Sequence, residues 1–158
     1  MNNLLVSLQP LIKNGKVSVT KTGQGISVDI NASVLFAEGD ATLNVPAIQT
    51  LQEIANVLKR DNHALQVEGH TDSKPIFNDK FPSNWELSAM RAISVIRVFI
   101  ANGVSETRLQ ASAFAATVPL DTNETEDGRQ RNRRVHLMIL SHFPEPVNEV
   151  QLPFKKKR

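Results

Sequence analysis

The sequence contains no cysteine, which excludes disulfide bonds, thiolate metal sites and cysteine nucleophiles. It also lacks the run of about 18 apolar residues that a helix needs to cross a membrane. Neither charge dominates, because 18 lysines and arginines face 16 aspartates and glutamates, and this balance does not indicate a nucleic-acid-binding protein. A chain without cysteine suits a reducing cytoplasm or a bacterial periplasm, so the compartment stays open at this point.

The N-terminal segment MNNLLVSLQPLI lacks a basic region and a small-residue cleavage site, and we therefore do not expect a signal peptide. Two interpretations remain: a cytoplasmic protein, or a fragment whose targeting segment was removed. Apolar residues make up 41 % of the 158 residues. A chain of this length and composition is expected to form one domain with a hydrophobic core.

Hydrophobic periodicity predicts helices and strands that alternate along the chain. Leucines and Ile12 at helical spacing predict a helix over residues 3–13, although Pro10 weakens its middle. KVSVT and GISVDI alternate apolar and polar residues on either side of TGQG, which predicts a β-hairpin. A helix from Pro46 to about Arg60 follows, and ALQVEG, RLQASAF and RVHLMIL are predicted strands. This order predicts an α/β sandwich with helices packed on a mixed sheet.

A further helix carries signals at both ends. Ser83 as N-cap and Glu86 three residues later form a capping box, and Gly103 directly after Asn102 suits a helix C-terminus. Its core face is predicted to consist of Ala89, Ala92, Ile93, Ile96 and Ile100.

The segment EGHTDSKP places Glu68, His70 and Asp72 within five residues, with Thr71 between the last two. A metal site needs more ligands than this, and no HExxH pair or thiolate accompanies them. An acid–base pair is chemically possible, but no nucleophile motif or phosphate-binding loop occurs. Taken alone, the segment is better interpreted as an Asx-type turn at the end of a strand.

The helix that begins after Ser83 changes this interpretation, because its first half carries polar residues on one side. Offsets of 0, +3, +4 and +7 bring together Asn84, Leu87, Ser88 and Arg91. If the Asp72 turn lies beside this helix, one site offers a carboxylate for an ammonium group and an arginine for a carboxylate. Such a site would recognise an amino acid. The alternative is that Arg91 pairs with Asp72 or Glu86 and binds nothing, and the spacing does not decide between them.

The third motif is GRQRNRRV, residues 128–135, which places four arginines within six residues. A phosphate-binding or RNA-binding patch is one interpretation. However, the preceding DTNETEDG carries four acidic residues, and no aromatic residue lies nearby for base stacking. We therefore predict that residues 121–134 form a polar loop whose charges pair with one another.

Together, GHTD, NWELSAMRA and GRQRNRRV resemble the motifs of the OmpA-like peptidoglycan-binding domain, over about residues 33–141. The family pattern is a TD turn, then N-x-x-L-S-x-x-R-A, then G-R-x-x-N-R-R-V. The chain is most similar to the flagellar stator branch of that family, MotB and its paralogue MotD. VLFAEGDATL, residues 34–43, is predicted to be an irregular loop. LFAEGDATL within it and the long loop SKPIFNDKFPSNWELS carry this second resemblance.

The resemblance implies a two-layer α/β fold, a binding module without catalysis or cofactor, and a ligand in the peptide stem of peptidoglycan, commonly diaminopimelate. It implies that Asp72 takes the ligand ammonium group and Arg91 its carboxylate. The other implied ligand-binding residues are Asn84, Leu87 and Ser88 as lining, Thr71 as the residue that shapes the turn, and Arg133 as a contact for a second carboxylate. Asn132 and Arg129 are expected to brace their loop.

For the whole protein, the resemblance implies a periplasmic location, homodimerisation and a MotA-like channel subunit as partner. It also implies an inner-membrane tether by an N-terminal helix that these residues do not contain. The implied division is a periplasmic linker over 1–32 with an N-terminal helix and hairpin strands, a peptidoglycan-binding domain over 33–141, and an extended tail over 142–158. An outer-membrane anchor of the OmpA or Pal type and a wall hydrolase are the alternatives.

The sequence departs from the family pattern in ASAFAATVP, residues 111–119, where alanines replace a glycine-rich turn. We expect an altered backbone turn there and no contact with the ligand-binding residues.

Overall fold

The computed structural model describes residues 2–12 and 17–141. In chain order, its elements are α1 (Asn2–Ile12), β1 (Val17–Lys21), β2 (Gly25–Asn31), α2 (Ala32–Leu35), α3 (Val45–Leu58), β3 (Leu65–His70), α4 (Asn84–Ala101), β4 (Leu109–Ala115), α5 (Glu126–Asn132) and β5 (Arg134–Leu140). A single 3₁₀ turn, Glu106–Arg108, precedes β4.

The five strands form one mixed sheet in the order β1-β2-β5-β3-β4. The pairs β1–β2, β2–β5 and β5–β3 are antiparallel, whereas β3 and β4 are parallel. Helix α4 makes the crossover that a parallel pair requires. The predicted α/β sandwich with a mixed sheet is confirmed.

Alternate residues of the central strands point into the hydrophobic core, as expected for a sheet that is covered on one face. The strand residues buried there are Ile26, Val28, Ile30, Leu65, Val67, Val135, Leu137 and Ile139. Leu51, Ile54 and Leu58 of α3 and Val95 and Phe99 of α4 complete this core. Among the described residues, no helix has the length and hydropathy needed to cross a membrane.

The N-terminal segment belongs to the same core. The predicted hairpin is present as β1 and β2, and β2 pairs with β5 along its whole length. Leu4 and Leu8 of α1 are buried in the core cluster. The boundary at residue 33 therefore separates elements that pack together, and the division into linker and domain stays a prediction. The predicted tail, 142–158, lies outside the described residues.

The predicted core face of α4 is wrong in its register. Ala92 is buried as predicted, but Val95 and Phe99 complete the buried stripe, whereas Ile100 is 37 % exposed. The cause is that the buried face begins with polar residues, Ser88 and Arg91. Apolar periodicity excludes such residues, and it therefore placed the stripe around the neighbouring isoleucines.

The predicted loop over 121–134 is also wrong in part, because residues 126–132 form α5. Thr125 caps this helix, with its Oγ1 accepting a hydrogen bond from the backbone N–H of Gly128 at 3.0 Å. A Cβ atom at Gly128 would lie 1.9 Å from the carbonyl oxygen of Thr122, so only glycine fits there. A short polar helix with glycine at its centre gives no periodic signal. The loop predicted over 34–43 similarly begins within a one-turn helix, α2.

Candidate functional site

A cavity of about 580 Å³ opens beyond the carboxyl end of β3. Its walls come from four places: the segment 32–39, the loop after β3, the first turns of α4, and the start of α5 together with its junction with β5. The polar and charged side chains in these walls belong to Ser33, Glu38, Thr71, Asp72, Lys74, Asn78, Asn84, Arg91, Glu126 and Arg133. Four segments that are distant in sequence therefore contribute to one site.

Asp72 lies two residues beyond β3 and is only 6 % exposed. Its Oδ1 accepts a hydrogen bond from the backbone N–H of Lys74 at 3.0 Å, which is the predicted Asx turn. Its Oδ2 accepts from Nη1 of Arg133 at 2.6 Å. The turn therefore directs a nearly buried carboxylate into the cavity and holds one of its oxygens in place.

Arg91 is the most unusual charge in the site. It is 4 % exposed, and its Nε and Nη2 donate to the backbone carbonyls of Asp40 and Ala37 at 2.8 and 3.3 Å. The guanidinium carbon lies 5.0 Å from the centre of the Phe36 ring, in a cation–π contact. Burial lowers the pKa of Arg91 to about 10, although nearby Asp40 and Asp72 oppose the shift. Arg91 therefore remains protonated at neutral pH.

Neither of the ion pairs that we considered for Arg91 occurs. Asp72 pairs with Arg133, and Glu86 accepts a hydrogen bond from the Ser83 hydroxyl within the cap of α4. No carboxylate of residues 2–12 or 17–141 forms an ion pair with Arg91. The cavity thus contains a buried cation whose direct contacts are backbone carbonyls and an aromatic face, while Asp40 and Asp72 favour its charge without forming an ion pair with it.

Arg133 joins the two acidic walls of the cavity. Its Nη1 donates to Asp72 and its Nη2 to Oε1 of Glu126, both at 2.6 Å. Burial alone would lower the pKa of Arg133, but the hydrogen bonds to these two carboxylates raise it above its ordinary value. Sequence reasoning did not identify Glu126, because a glutamate in a polar segment carries no distinguishing signal.

The remaining predicted residues differ in their placement. Asn84 lines the cavity and donates through Nδ2 to the carbonyl of Lys74 at 2.9 Å, which holds the Asx turn against α4. Leu87 also lines it, and Thr71 does so while its backbone N–H donates to the carbonyl of Ala115 at 2.8 Å. Ser88 lies outside the lining because it is fully buried between α4 and the sheet.

Ser88 is part of the contact that positions α4. Its carbonyl oxygen would lie 2.0 Å from a Cβ atom at Gly69, so helix and strand meet where β3 has no side chain. Its hydroxyl donates to the carbonyl of Trp85 at 3.0 Å and accepts from the backbone N–H of Ala115 at 3.2 Å. Ser88 therefore fixes the helix that carries Arg91.

Ala115 contradicts the expectation for the alanine-rich turn. It has a φ of 48°, a left-handed conformation that glycine adopts more easily. Its backbone N–H and carbonyl bond to Ser88 and Thr71, two of the predicted ligand-binding residues. The turn therefore does contact predicted site residues, and it supports both from behind the cavity.

Glu68 and His70 of EGHTDSKP lie away from the cavity. His70 Nε2 is 3.1 Å from Glu68 Oε1, and its ring stacks on Phe114 at 5.0 Å between centres. Neither side chain is among the lining residues. Within the part of the chain that the structure describes, no group of three or more histidine or acidic side chains could hold a metal ion.

The prediction that the charges of residues 121–134 pair with one another is confirmed in part, because Arg133 and Arg134 also pair with acidic residues outside that segment. Besides the Arg133 pairs, the structure contains Arg129–Glu126, Arg131–Asp121 and Arg134–Asp29. Asn132 is fully buried and accepts hydrogen bonds from the backbone of Leu120 and Asp121. Arg129 donates to the carbonyl of Asn123 at 2.9 Å. The predicted bracing roles of Asn132 and Arg129 are confirmed.

Comparison with known proteins identifies the family to which this chain is similar. Residues 35–133 match the model of the OmpA family. Motility protein B of Bacillus subtilis strain 168 is 31 % identical over 155 residues, covering 94 % of this chain. The chain spans only 59 % of the length of that relative.

Two solved structures share the fold over most of both chains. The cell wall anchor of the T6SS from Pseudomonas aeruginosa is 32 % identical, with a TM-score of 0.83, and the match covers 88 % of this chain and 97 % of that chain. The periplasmic domain of Helicobacter pylori MotB is 25 % identical, with a TM-score of 0.75 over 82 % of this chain and 84 % of that chain.

Proposed function

This chain belongs to the OmpA family, and we propose that it is a non-catalytic domain that binds the peptide stem of peptidoglycan in the cavity beyond β3. One observation carries the proposal: Arg91 is a buried cation that lines the cavity and has no carboxylate partner among the described residues. A buried charge without a counter-ion is costly, and an anionic ligand would supply the missing partner.

The ligand must also present a cation, because the carboxylate of Asp72 lines the same cavity. An amino-acid centre with a free ammonium group and a free carboxylate satisfies both residues. Diaminopimelate in a peptide stem carries such a centre at the end of its side chain. In this proposal Asp72 takes the ammonium group, Arg91 takes the carboxylate, and Arg133 contacts a second carboxylate. Asn84, Leu87 and Thr71 shape the walls, whereas Ser88 acts by holding α4.

A sedimentation assay with purified peptidoglycan sacculi tests the Asp72 assignment. Asp72→Asn removes the charge but keeps the oxygen that accepts the Lys74 N–H bond, so the turn is preserved. We expect this variant to lose sedimentation with sacculi while its circular dichroism spectrum is unchanged. Asp79→Asn is the matched control, because Asp79 is an exposed aspartate of the same loop and lies outside the cavity lining. Equal binding by wild type and folded Asp72→Asn would contradict the proposal.

A pair of synthetic stem peptides tests the ligand chemistry. Lysine differs from diaminopimelate by the absence of one carboxylate, so peptides with either residue at the same position compare that group alone. Loss of one partner from a desolvated charge pair costs about 2–5 kcal/mol, which corresponds to roughly 30-fold or more in affinity. We expect calorimetry to give at least this preference for the diaminopimelate peptide. Equal affinities would exclude Arg91 as the carboxylate contact.

For the whole protein, we propose that this domain anchors a flagellar motor stator to the cell wall from the periplasm. The relatives named for motility and for wall anchoring support this role. The same proposal includes homodimerisation, a MotA-like channel partner and a membrane tether in the full-length protein. Cells whose full-length protein carries Asp72→Asn are expected to build flagella but to swim poorly. Normal swimming would argue against the motor role while leaving wall binding to be judged by sedimentation.

A further inference from the structure

Arg133 is divided between a buried acid and an exposed one. Its two terminal nitrogens donate to Asp72 and to Glu126 over the same distance of 2.6 Å. The side chain of Asp72 is 9 % exposed, whereas that of Glu126 is 59 % exposed. The bond to Asp72 is therefore protected from water, and the bond to Glu126 is open to exchange with water or with a ligand.

Glu126 lies in the cavity wall, so it occupies a position that a ligand could take. Its Oε2 also accepts a bond from Nε of Arg129 at 3.1 Å, at the surface of α5. If the glutamate turned away from Arg133, it would retain Arg129 and gain water. Release of Arg133 from Glu126 would thus leave neither side chain as a buried, unpaired charge.

We propose that Glu126 is a specificity-determining residue that occupies the outer carboxylate position of Arg133, so that a ligand gains Arg133 only by supplying a carboxylate in its place. A ligand with a neutral amide at that position cannot replace the charge of Glu126, so Arg133 stays paired with Glu126. This inference rests on the proposed function, because it concerns a second carboxylate of the same peptide ligand.

The charges of the cavity favour this exchange. Without ligand the charges of the lining sum to zero, because Glu38 and Lys74 cancel and Asp72 and Glu126 equal the two arginines in number. A diaminopimelate residue at the end of a stem peptide has two carboxylates and one ammonium group, and so brings one net negative charge. With Glu126 turned out to solvent, Asp72, the two arginines and that ligand sum to zero, whereas retention of Glu126 leaves an uncompensated negative charge. The displacement of Glu126 therefore restores neutrality.

Calorimetry with one variant, one control and three peptides tests the inference. Glu126→Gln removes the competing charge, and Asp127→Asn removes an equal charge from the same first turn of α5, where Asp127 has no ion pair in the described structure. The ligands are a stem tripeptide that ends in diaminopimelate and its two monoamides, each of which blocks one of the two carboxylates.

We expect Glu126→Gln to bind the dicarboxylate roughly two- to five-fold more tightly than wild type, the range expected for release of an exposed ion pair. The gain should disappear for one monoamide and persist for the other, and Asp127→Asn should bind all three peptides like wild type. Unchanged or weaker binding by folded Glu126→Gln, or an equal gain in Asp127→Asn, would overturn the inference. If wild type binds none of the peptides, the proposed function fails together with the inference.

Discussion

Two buried arginines lie at opposite ends of β3, and they differ in one respect. Arg91 lies at the carboxyl end and is 4 % exposed, whereas Arg108 lies at the amino end and is 7 % exposed. Each donates through Nε to a backbone carbonyl at 2.8 Å, Arg91 to Asp40 and Arg108 to His63. Up to this point the two sites use the same arrangement to bury a guanidinium group.

The two arginines differ in the hydrogen-bond acceptor of Nη2. Nη2 of Arg108 donates to the carboxylate of Asp61 at 3.1 Å, which completes an ion pair. Nη2 of Arg91 donates to the carbonyl of Ala37, and Arg91 lines the cavity. Burial lowers the pKa of both arginines, so burial alone does not distinguish them. A missing counter-ion beside an open cavity distinguishes a candidate ligand-binding arginine from one that supports the fold.

Replacement of Arg91 is expected to have the largest effect, on the affinity for the peptide. Arg91→Lys keeps the positive charge but loses the planar fork, and Arg91→Ala loses both. We expect either variant to bind the diaminopimelate peptide about 30-fold more weakly or worse, because a desolvated charge pair is removed. Peptide calorimetry provides the measurement, and urea unfolding shows what fraction is folded. Full affinity in folded Arg91→Lys would show that the open guanidinium is not the carboxylate contact.

The second effect concerns Arg108, whose replacement should affect stability alone. Arg108→Ala leaves the carbonyl of His63 and the carboxylate of Asp61 without their donor. Loss of hydrogen bonds to a charged group costs roughly 1.5–3 kcal/mol, and we expect that decrease in the free energy of unfolding in urea. Peptide affinity per folded molecule should equal that of wild type. A large loss of affinity here would mean that the two ends of β3 are not independent.

A smaller effect, with the opposite sign, concerns the strained turn behind the cavity. Ala115→Gly removes the left-handed strain of about 1–2 kcal/mol and adds the glycine entropy cost of about 0.5–1 kcal/mol. We expect a net gain of roughly 0.5–1 kcal/mol in the free energy of unfolding, with peptide affinity retained. Ala113→Gly is the control, because its φ is not positive and the same change should destabilise the protein. A loss of stability in Ala115→Gly would contradict the claim that the backbone of Ala115 is strained.

The smallest effect is expected when Arg108 loses its carboxylate partner, as this leaves it without an ion pair, like Arg91. Asp61→Asn removes the counter-ion but keeps the oxygen that accepts the backbone N–H of His63. The Asp61 side chain is 29 % exposed, and we expect a loss of about 1 kcal/mol or less in stability. Added salt should reduce the difference from wild type, since it screens the pair in wild type. A loss that is independent of salt would assign the effect to the hydrogen bonds rather than to charge.

Local signals in the sequence were reliable guides to this structure. The N-cap Ser83, the glycine after α4 and the Asx turn at Asp72 occur as predicted. The capping box differs, because the Ser83 Oγ accepts from the backbone N–H of Trp85 and Glu86 accepts from the Ser83 hydroxyl. The register of α4 could not be predicted, because Ser88 and Arg91 are buried by contacts with segments far away in sequence. A periodicity argument treats such polar residues as exposed.

The site was predictable only in part for the same reason. The sequence indicated that Asp72 and Arg91 could share a pocket, and they do line one cavity. It did not indicate that Arg133 would be the ion-pair partner of Asp72, with 61 positions between them. Nor did it indicate the wall formed by residues 32–39, since backbone carbonyls that accept from an arginine leave no trace in residue types.

The place of β3 in the sheet has a mechanical consequence. Asp72 follows β3 directly, and β3 lies between β5 and β4 with hydrogen bonds to both. If the proposed ligand binds at Asp72, a pull on it that runs along the axis of β3 would act at right angles to the β3–β5 bonds. Such a pull loads the hydrogen bonds of two ladders together in shear instead of opening them one at a time. An internal strand bonded on both sides would therefore resist such a pull better than an edge strand bonded on one side.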